Sequence, residues 1–430
     1  MNYNRNSMAS MGILAVLFTG LLQLAWAGPG VWTSNGPNGG QVSDVIAAPS
    51  IPNEFYAVSR GGIFKSIDGG VTWIDSSAGI NRQIFSVVHS QTTSNRLMVT
   101  GSTRVFYSNN SAFSWQDRTP AIALPPDVFY RSIEVSPILN GVYYLLRTDG
   151  VVLRTGDSGL NWTASAAIPE LTDFSINAIA ADPVTADRIL VSTANPSPEN
   201  FSLWVGDLST PAPPSVWAEV PCAPGCPWEN DWISDIDFGS AGRVWAVNSF
   251  GAFRSDDAGL TWVIPPTTDF VTGTVIEVNP FDNTTAYVVA SLGIDYTQDD
   301  GATWTNVRGG FVGNDLLQPT QATSIAFNPF NTALQLVGSI SNGVYRRIGL
   351  PPGDSFVPGV DGFNAQTVRA VTTNLGNRVH AAVSDAFQAT FASFISNNNA
   401  LTWSNANSGL EADHFRSLIV DPNNASTLYA

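Results

Sequence analysis

The sequence predicts an all-β chain: a seven-bladed β-propeller of four-stranded antiparallel blades, closed by an N-terminal strand and followed by the start of a second, incomplete propeller. Three observations carry this. Nearly one phrase recurs six times, at Ser66–Trp73, Ser108–Trp115, Thr155–Trp162, Ser255–Trp262, Thr297–Trp304 and Ser396–Trp403, and such self-similarity marks units that stack on their neighbours. Around each copy runs the same order of short apolar strands and tight turns, which makes one blade. Finally, an orphan Trp strand near the N-terminus matches a unit near Ala322 that lacks one.

The first segment carries Arg5, an apolar run Met11–Leu24 and then Ala25-Trp26-Ala27. A basic residue, a short greasy stretch and a small-x-small site read as a signal peptide over 1–27, cleaved after Ala27. The alternative is an uncleaved anchor, for which the run is short. The mature protein is expected to be secreted or periplasmic, with no membrane insertion after cleavage.

The main body, 28–352, opens on Val31-Trp32-Thr33. Unit one then shows all four strands, Val42–Ala48, Glu54–Ser59, Gly62–Ser66 and Val71–Asp75. Further inner strands are expected near Ile84, Arg131, Ile176, Ile233, Thr274, Thr323 and Thr367. Unit four has no copy of the phrase, but Ser215-Val216-Trp217 falls where its Trp strand belongs, after an expected long loop from Asn195 to Pro214. Unit seven stops at Gly349-Leu350-Pro351-Pro352 without a Trp strand, so Val31–Thr33 is expected to complete it, because an open edge leaves backbone groups unpaired. After that the order begins again over 353–430, and Ala430 falls halfway through a blade. One larger ring of eight to ten blades is the rival arrangement.

Each position of the phrase, Ser/Thr-x-Asp-x-Gly-x-Thr-Trp, has a mechanical task. The short acid accepts backbone N–H groups of its own turn, glycine permits positive φ, and Ser or Thr adds a local cap. The indole then buries a large apolar area against the next unit. The acid positions are Asp68, Asn110, Asp157, Asp257, Asp299 and Asn398; Ala112 and Ala400 replace the glycine. Asparagine supports the same turn without a charge, which assigns these positions to structure.

The phrase resembles the Asp-box, or BNR, repeat of sialidases, oligoxyloglucan hydrolases and the photosystem II assembly factor family. The resemblance covers nearly the whole mature chain and implies a propeller whose box turns lie on the blade periphery. These families share a scaffold and not a reaction. A sialidase would also carry an early Arg-Ile-Pro, which does not occur, and an arginine cluster, where this chain has Arg131, Arg154 and Arg346-Arg347 singly placed. Where the oligoxyloglucan hydrolases place a catalytic Asp before a Gly pair, this chain reads Arg60-Gly61-Gly62.

Composition narrows the partners. With 44% hydrophobic and 11% aromatic residues, 13 Trp and 37 Gly, the 430-residue chain fits a turn-rich β protein with a large core. Its net charge is −16 and Lys65 is its only lysine, which excludes a basic nucleic-acid or anionic-membrane surface. Cys222 and Cys226 close a small disulfide loop if the compartment is oxidising, or stay free thiols. His89, His380 and His414 have no metal-ligand spacing, and no metal or cofactor is expected.

Candidate chemistry lies on inner strands around the channel. Glu134, Asp237 and Glu277 share one register, and converging carboxylates suit glycoside hydrolysis, unless they are solvated or hold backbone N–H groups. Trp228 and Trp232, beside the cysteine loop, are candidates to stack on sugar rings, with core packing the expectation for Trp232. The leading expectation is a monomeric, non-enzymatic scaffold binding an extracellular glycan or protein; the alternative is a sialidase-like or xyloglucanase-like hydrolase.

Overall fold

A computed structural model describes residues 41–306, except 60–61, 82, 170–175, 197–198, 210–215, 223–224, 230, 266–272, 280–281 and 291–292, and beyond them 322–328, 331–339, 344–348, 357–358, 367–373, 379–384, 391–397, 404–406, 419–421 and 424–429. The chain is all-β and forms a seven-bladed propeller of antiparallel blades. The inner strands are Asp44–Ala47, Ser86–His89, Tyr130–Val135, Ile176–Ala181, Asp235–Phe238, Gly273–Val278 and Ala322–Asn328. They pack side by side in that order, and the seventh lies against the first.

Blade one runs from channel to rim as Asp44–Ala47, Phe55–Ser59, Gly62–Ser66 and Ile74–Asp75. Its second strand is buried at every residue because both faces are covered by neighbouring blades. Blade five keeps three strands, with Arg254 and Val263 paired as a single bridge where the outer strand would run.

The repeated phrase builds the turn before each outer strand. In blade one, the Ser66 hydroxyl accepts the Gly70 N–H at 2.8 Å and donates to Asp68 Oδ1 at 2.8 Å. Asp68 Oδ1 accepts the N–H groups of Val71 and Thr72 at 3.0 and 2.9 Å, and its Oδ2 accepts the Thr72 hydroxyl at 2.6 Å. Asp157, Asp257 and Asp299 repeat this arrangement. Asn110 reproduces it uncharged by donating from Nδ2 to Ser114 Oγ at 2.9 Å. Asn398 lies outside the described residues.

The glycine of the phrase has a second task. Gly70 sits at φ +80°, and a Cβ there would stand 2.5 Å from Leu336 Cδ2 of blade seven. At Gly259 the neighbour is Leu190 of blade four, at 2.7 Å. The turn of each blade is thus pressed onto the middle of the preceding one. The indoles stitch the same seams: Trp115, Trp162 and Trp217 donate to the carbonyls of Ser76, Arg118 and Ala166, just past the outer strand of the preceding blade. Trp217 does so although blade four lacks the phrase.

The seam between blades seven and one is built like the others. Arg346 donates to the Gly69 carbonyl at 2.7 Å, as Lys65 donates to Ser111 and Arg254 to Asp300 across their own seams. The Val42 N–H donates to the Ser339 carbonyl at 2.8 Å, and Thr323 to the Val42 carbonyl at 2.7 Å. Val45, Phe55, Phe64 and Trp73 share one buried cluster with Ala326, Leu334, Leu336 and Val344.

Two expectations are corrected. The outer place in blade seven belongs to Val357–Pro358, paired with Arg346 and Tyr345, and not to Val31–Thr33, which lies outside the described residues. Proline is tolerated there because the strand is at the edge of its sheet, where a ladder donor can be lacking. The blade therefore extends past the expected boundary at 352. The stretch read as a loop from Asn195 is largely strand, since Arg188–Pro196 and Glu199–Asp207 form one long hairpin. Beyond the ring, Thr367–Thr373, Val379–Ser384, Phe391–Ser396 and Ser404–Asn405 make another four-stranded sheet, and Ile419–Asp421 pairs with Asn424–Tyr429.

Gly70→Ala is expected to destabilise the protein by about 2–4 kcal/mol, combining left-handed strain with overpacking onto Leu336. Ala112→Gly, which relieves a positive φ but deletes a buried methyl, is expected to stay within about 1 kcal/mol of wild type. Urea unfolding of both variants measures the difference.

Candidate functional site

Inner strands turn alternate residues toward the channel. Asp44, Glu134, Asp235, Asp237 and Glu277 line one cavity of about 530 Å³, and among the described residues no lysine or arginine lines it. Glu134, Asp237 and Glu277 stand at one level, each opposite the second residue of its neighbouring strand: Tyr144, Trp245 and Tyr287. Asp44 and Asp235 form a second level, opposite Val58 and Val247. Sequence reasoning missed these two. The alternation Asp235-Ile236-Asp237 was the available signal, since residues two apart on a strand share a face.

Most of these carboxylates hold backbone. Asp44 Oδ2 accepts the Val87 N–H of blade two at 3.1 Å. Asp235 and Asp237 accept the N–H groups of Ile276 and Val278 of blade six, at 3.0 and 2.6 Å. Glu134 accepts the N–H of its own neighbour Val135 at 2.8 Å. The aspartates satisfy the free edge of the next blade's inner strand, which has no strand beyond it.

Burial in the channel wall pushes Asp44 up to about 6 and Glu134 and Asp235 up to about 8, with backbone hydrogen bonds acting against the rise. Asp237 and Glu277 are also held above the usual carboxylate range; burial leads in both, and the charges of Asp237 and Asp235 add to it at Glu277. Neutral and ionised carboxyls thus coexist near neutrality, which is what proton transfer requires. Among the described residues, no group of three His, Cys, Asp or Glu side chains is arranged to hold a metal ion.

Several other sequence candidates serve the scaffold. Arg154 forms a two-pronged pair with Asp187 of blade four at 2.6 and 2.9 Å. Arg347 is buried, and Arg131 is exposed on its inner strand. His89 and His380 are buried, and His414 lies outside the described residues.

The opposite outcome holds around the cysteines. Cys222 and Cys226 are joined by a disulfide. Trp228 is buried edge-on against Trp262, whereas Trp232, expected in the core, is 48% exposed. Its ring meets Phe201 of the long blade-four hairpin at 6.3 Å, edge to face. The neighbouring Asp231 carboxylate accepts the Ser249 N–H at 2.7 Å, and Asn248 Nδ2 donates to the Pro227 carbonyl at 2.8 Å. These bonds pin the loop to the turn that carries Phe250, itself 71% exposed. Strand alternation puts this loop and turn on the face opposite the box turns.

No protein-family model matches the sequence, and no curated protein does. Among solved structures, the fold is similar to the GH74 xyloglucanase from Xanthomonas campestris, with a TM-score of 0.66 and 14% identity over 87% of this chain and 68% of that one. The GH74 enzyme of Niastella koreensis gives 0.65 and 15%, covering 91% of this chain and 69% of the other. YCF48 bound to a D1 peptide gives 0.53 and 17%, covering 74% of this chain and 98% of the other. At such identities the likeness is one of fold, and all three are β-propellers.

Asp235→Ala is expected to cost about 1–3 kcal/mol by orphaning the Ile276 N–H, whereas Asp235→Asn, which keeps the acceptor, is expected to match or exceed wild-type stability near neutrality. Chemical unfolding of the pair checks this.

Proposed function

We propose that this chain is an exported, monomeric Asp-box propeller that binds an extracellular glycan or protein partner through the face carrying Trp232 and Phe250. The observation that carries the reading is the division of labour among side chains. Box acids and most channel carboxylates are spent on backbone groups, and the paired arginines brace the blades. Trp232 on the stapled loop and Phe250 on the turn beside it keep much of their ring surface open to solvent, and Trp232 touches Phe201 only edge to face. A half-exposed indole on a pinned loop is a preorganised stacking surface, and preorganisation lowers the entropy lost on binding. Similarity in fold to enzymes named for xyloglucan and to a protein captured with a peptide supports a ligand-binding scaffold of either kind. The chain after Pro358 is proposed to begin a second propeller, with the strands from Thr367 onward as its first blades.

A specific observation favours a second reading. Glu134, Asp237 and Glu277 share one level of the channel with protonation equilibria displaced toward neutrality, the equipment of a glycoside hydrolase.

Retention on immobilised xyloglucan and sialosides, together with release of product from fluorogenic forms of each, separates the two. Binding is expected without turnover, and Trp232→Ala is expected to weaken it about tenfold at unchanged melting temperature. Turnover abolished by Glu134→Gln or Glu277→Gln would establish the hydrolase instead.

A further inference from the structure

Five carboxyl groups share the channel cavity, and among the described residues no lysine or arginine lines it. Three of them span seams between blades: Asp44 joins one to two, and Asp235 and Asp237 join five to six. At the second of these seams the Asp235 and Asp237 charges bear on Glu277, which stands on the inner strand that both aspartates grip. We infer that the channel is a pH-dependent latch on the ring, holding the blades tightest in mildly acidic solution and loosening as the pH rises, first between blades five and six.

The chemistry follows from what protonation changes and what it leaves alone. A neutral carboxyl still offers its carbonyl oxygen to a backbone N–H, so each bridge survives protonation. What protonation removes is the repulsion among groups crowded in a half-buried wall, with no lysine or arginine beside them among the described residues. Their folded values are raised above the ordinary carboxylate range near 4, so the folded chain binds more protons than the unfolded one between about pH 4 and about pH 8. Stability is therefore full on the acid side of that window and is lost as the pH climbs through it.

Among the described residues, five carboxyl groups and one histidine are the titratable groups that line the channel. The inner strands of blades one, three, five and six supply Asp44, Glu134, Asp235, Asp237 and Glu277. Those of blades four and seven line the cavity with Ile179 and with Ser324, Ile325, Ala326 and Phe327. Blade two supplies His89, whose burial lowers its value and opposes the trend, as one group against five. The box aspartates are shifted the other way. At Asp299 the Thr303 hydroxyl leads in lowering the carboxyl; at Asp68 and Asp257 burial pushes up, but hydrogen bonds outweigh it. Their stabilisation fades only below about pH 4. Rim and channel together place the stability optimum between about pH 4 and about pH 6.

The test is thermal unfolding of the whole protein from about pH 5 to about pH 9, for wild type and for an Asp237→Asn, Glu277→Gln double variant. The wild-type midpoint is expected to fall by about 10 °C or more across the range, and the variant to lose at least half of that fall. If the variant does not fold, refolding of the wild type in weakly buffered indicator solution near pH 7 reads the same linkage, with net uptake of at least about one proton per chain expected. A midpoint that is flat or rises with pH, a variant that keeps the full wild-type slope, or refolding without proton uptake would overturn the latch.

Discussion

The ring depends on the joint between its seventh and first blades. Six seams join units that are consecutive in the chain, but this one brings Val42 to Ser339 and Asn53 to Asn328. Closing a flexible loop of that length costs on the order of 5 kcal/mol, because the entropy grows only with the logarithm of length. Burying a large apolar side chain recovers about 1.5–3 kcal/mol, so two or three of the residues that blades one and seven bury against each other offset the closure. The hydrogen bonds then set the register. Because the joint uses the same arginine-to-turn contact as other seams, closure needs no exchanged strand, and the outer place in blade seven is filled by the chain that follows it.

The fold was legible where local chemistry and architecture coincide. The turn phrase states its own hydrogen bonds, and the indole after it can only be buried by a neighbour, so five of the seven blades and their order follow from Ser66, Ser108, Thr155, Ser255 and Thr297, while blades four and seven rest on the order of strands around them. The closing strand was not legible. An outer strand of two residues carries no periodicity, and the stretches around Val31 and Val357 read alike; Pro358 argues against a strand except at an edge, which is where it sits. In blade four, Pro196 and the polar residues around it read as loop, although the alternation in Phe201-Ser202-Leu203-Trp204 is that of a strand.

The site was half legible for a related reason. Period-two spacing on aligned inner strands brought out Glu134, Asp237 and Glu277, but it does not state that a neighbouring blade's N–H groups lie within reach, and so Asp44 and Asp235 were missed. Nor does it say which tryptophan of a cysteine loop faces outward: Trp228 and Trp232 exchange their expected places because the loop folds back over blade five. What separates structure from function here is whether a side chain's polar or apolar capacity is already used, and that is a three-dimensional property.

Amide hydrogen exchange at Val42 tests the closure most directly. If the first and seventh blades are bonded as described, this N–H exchanges only with the global unfolding of the ring, as slowly as amides in the second strands. Exchange orders of magnitude faster than those amides, through local opening, would mean that the ring is held shut elsewhere.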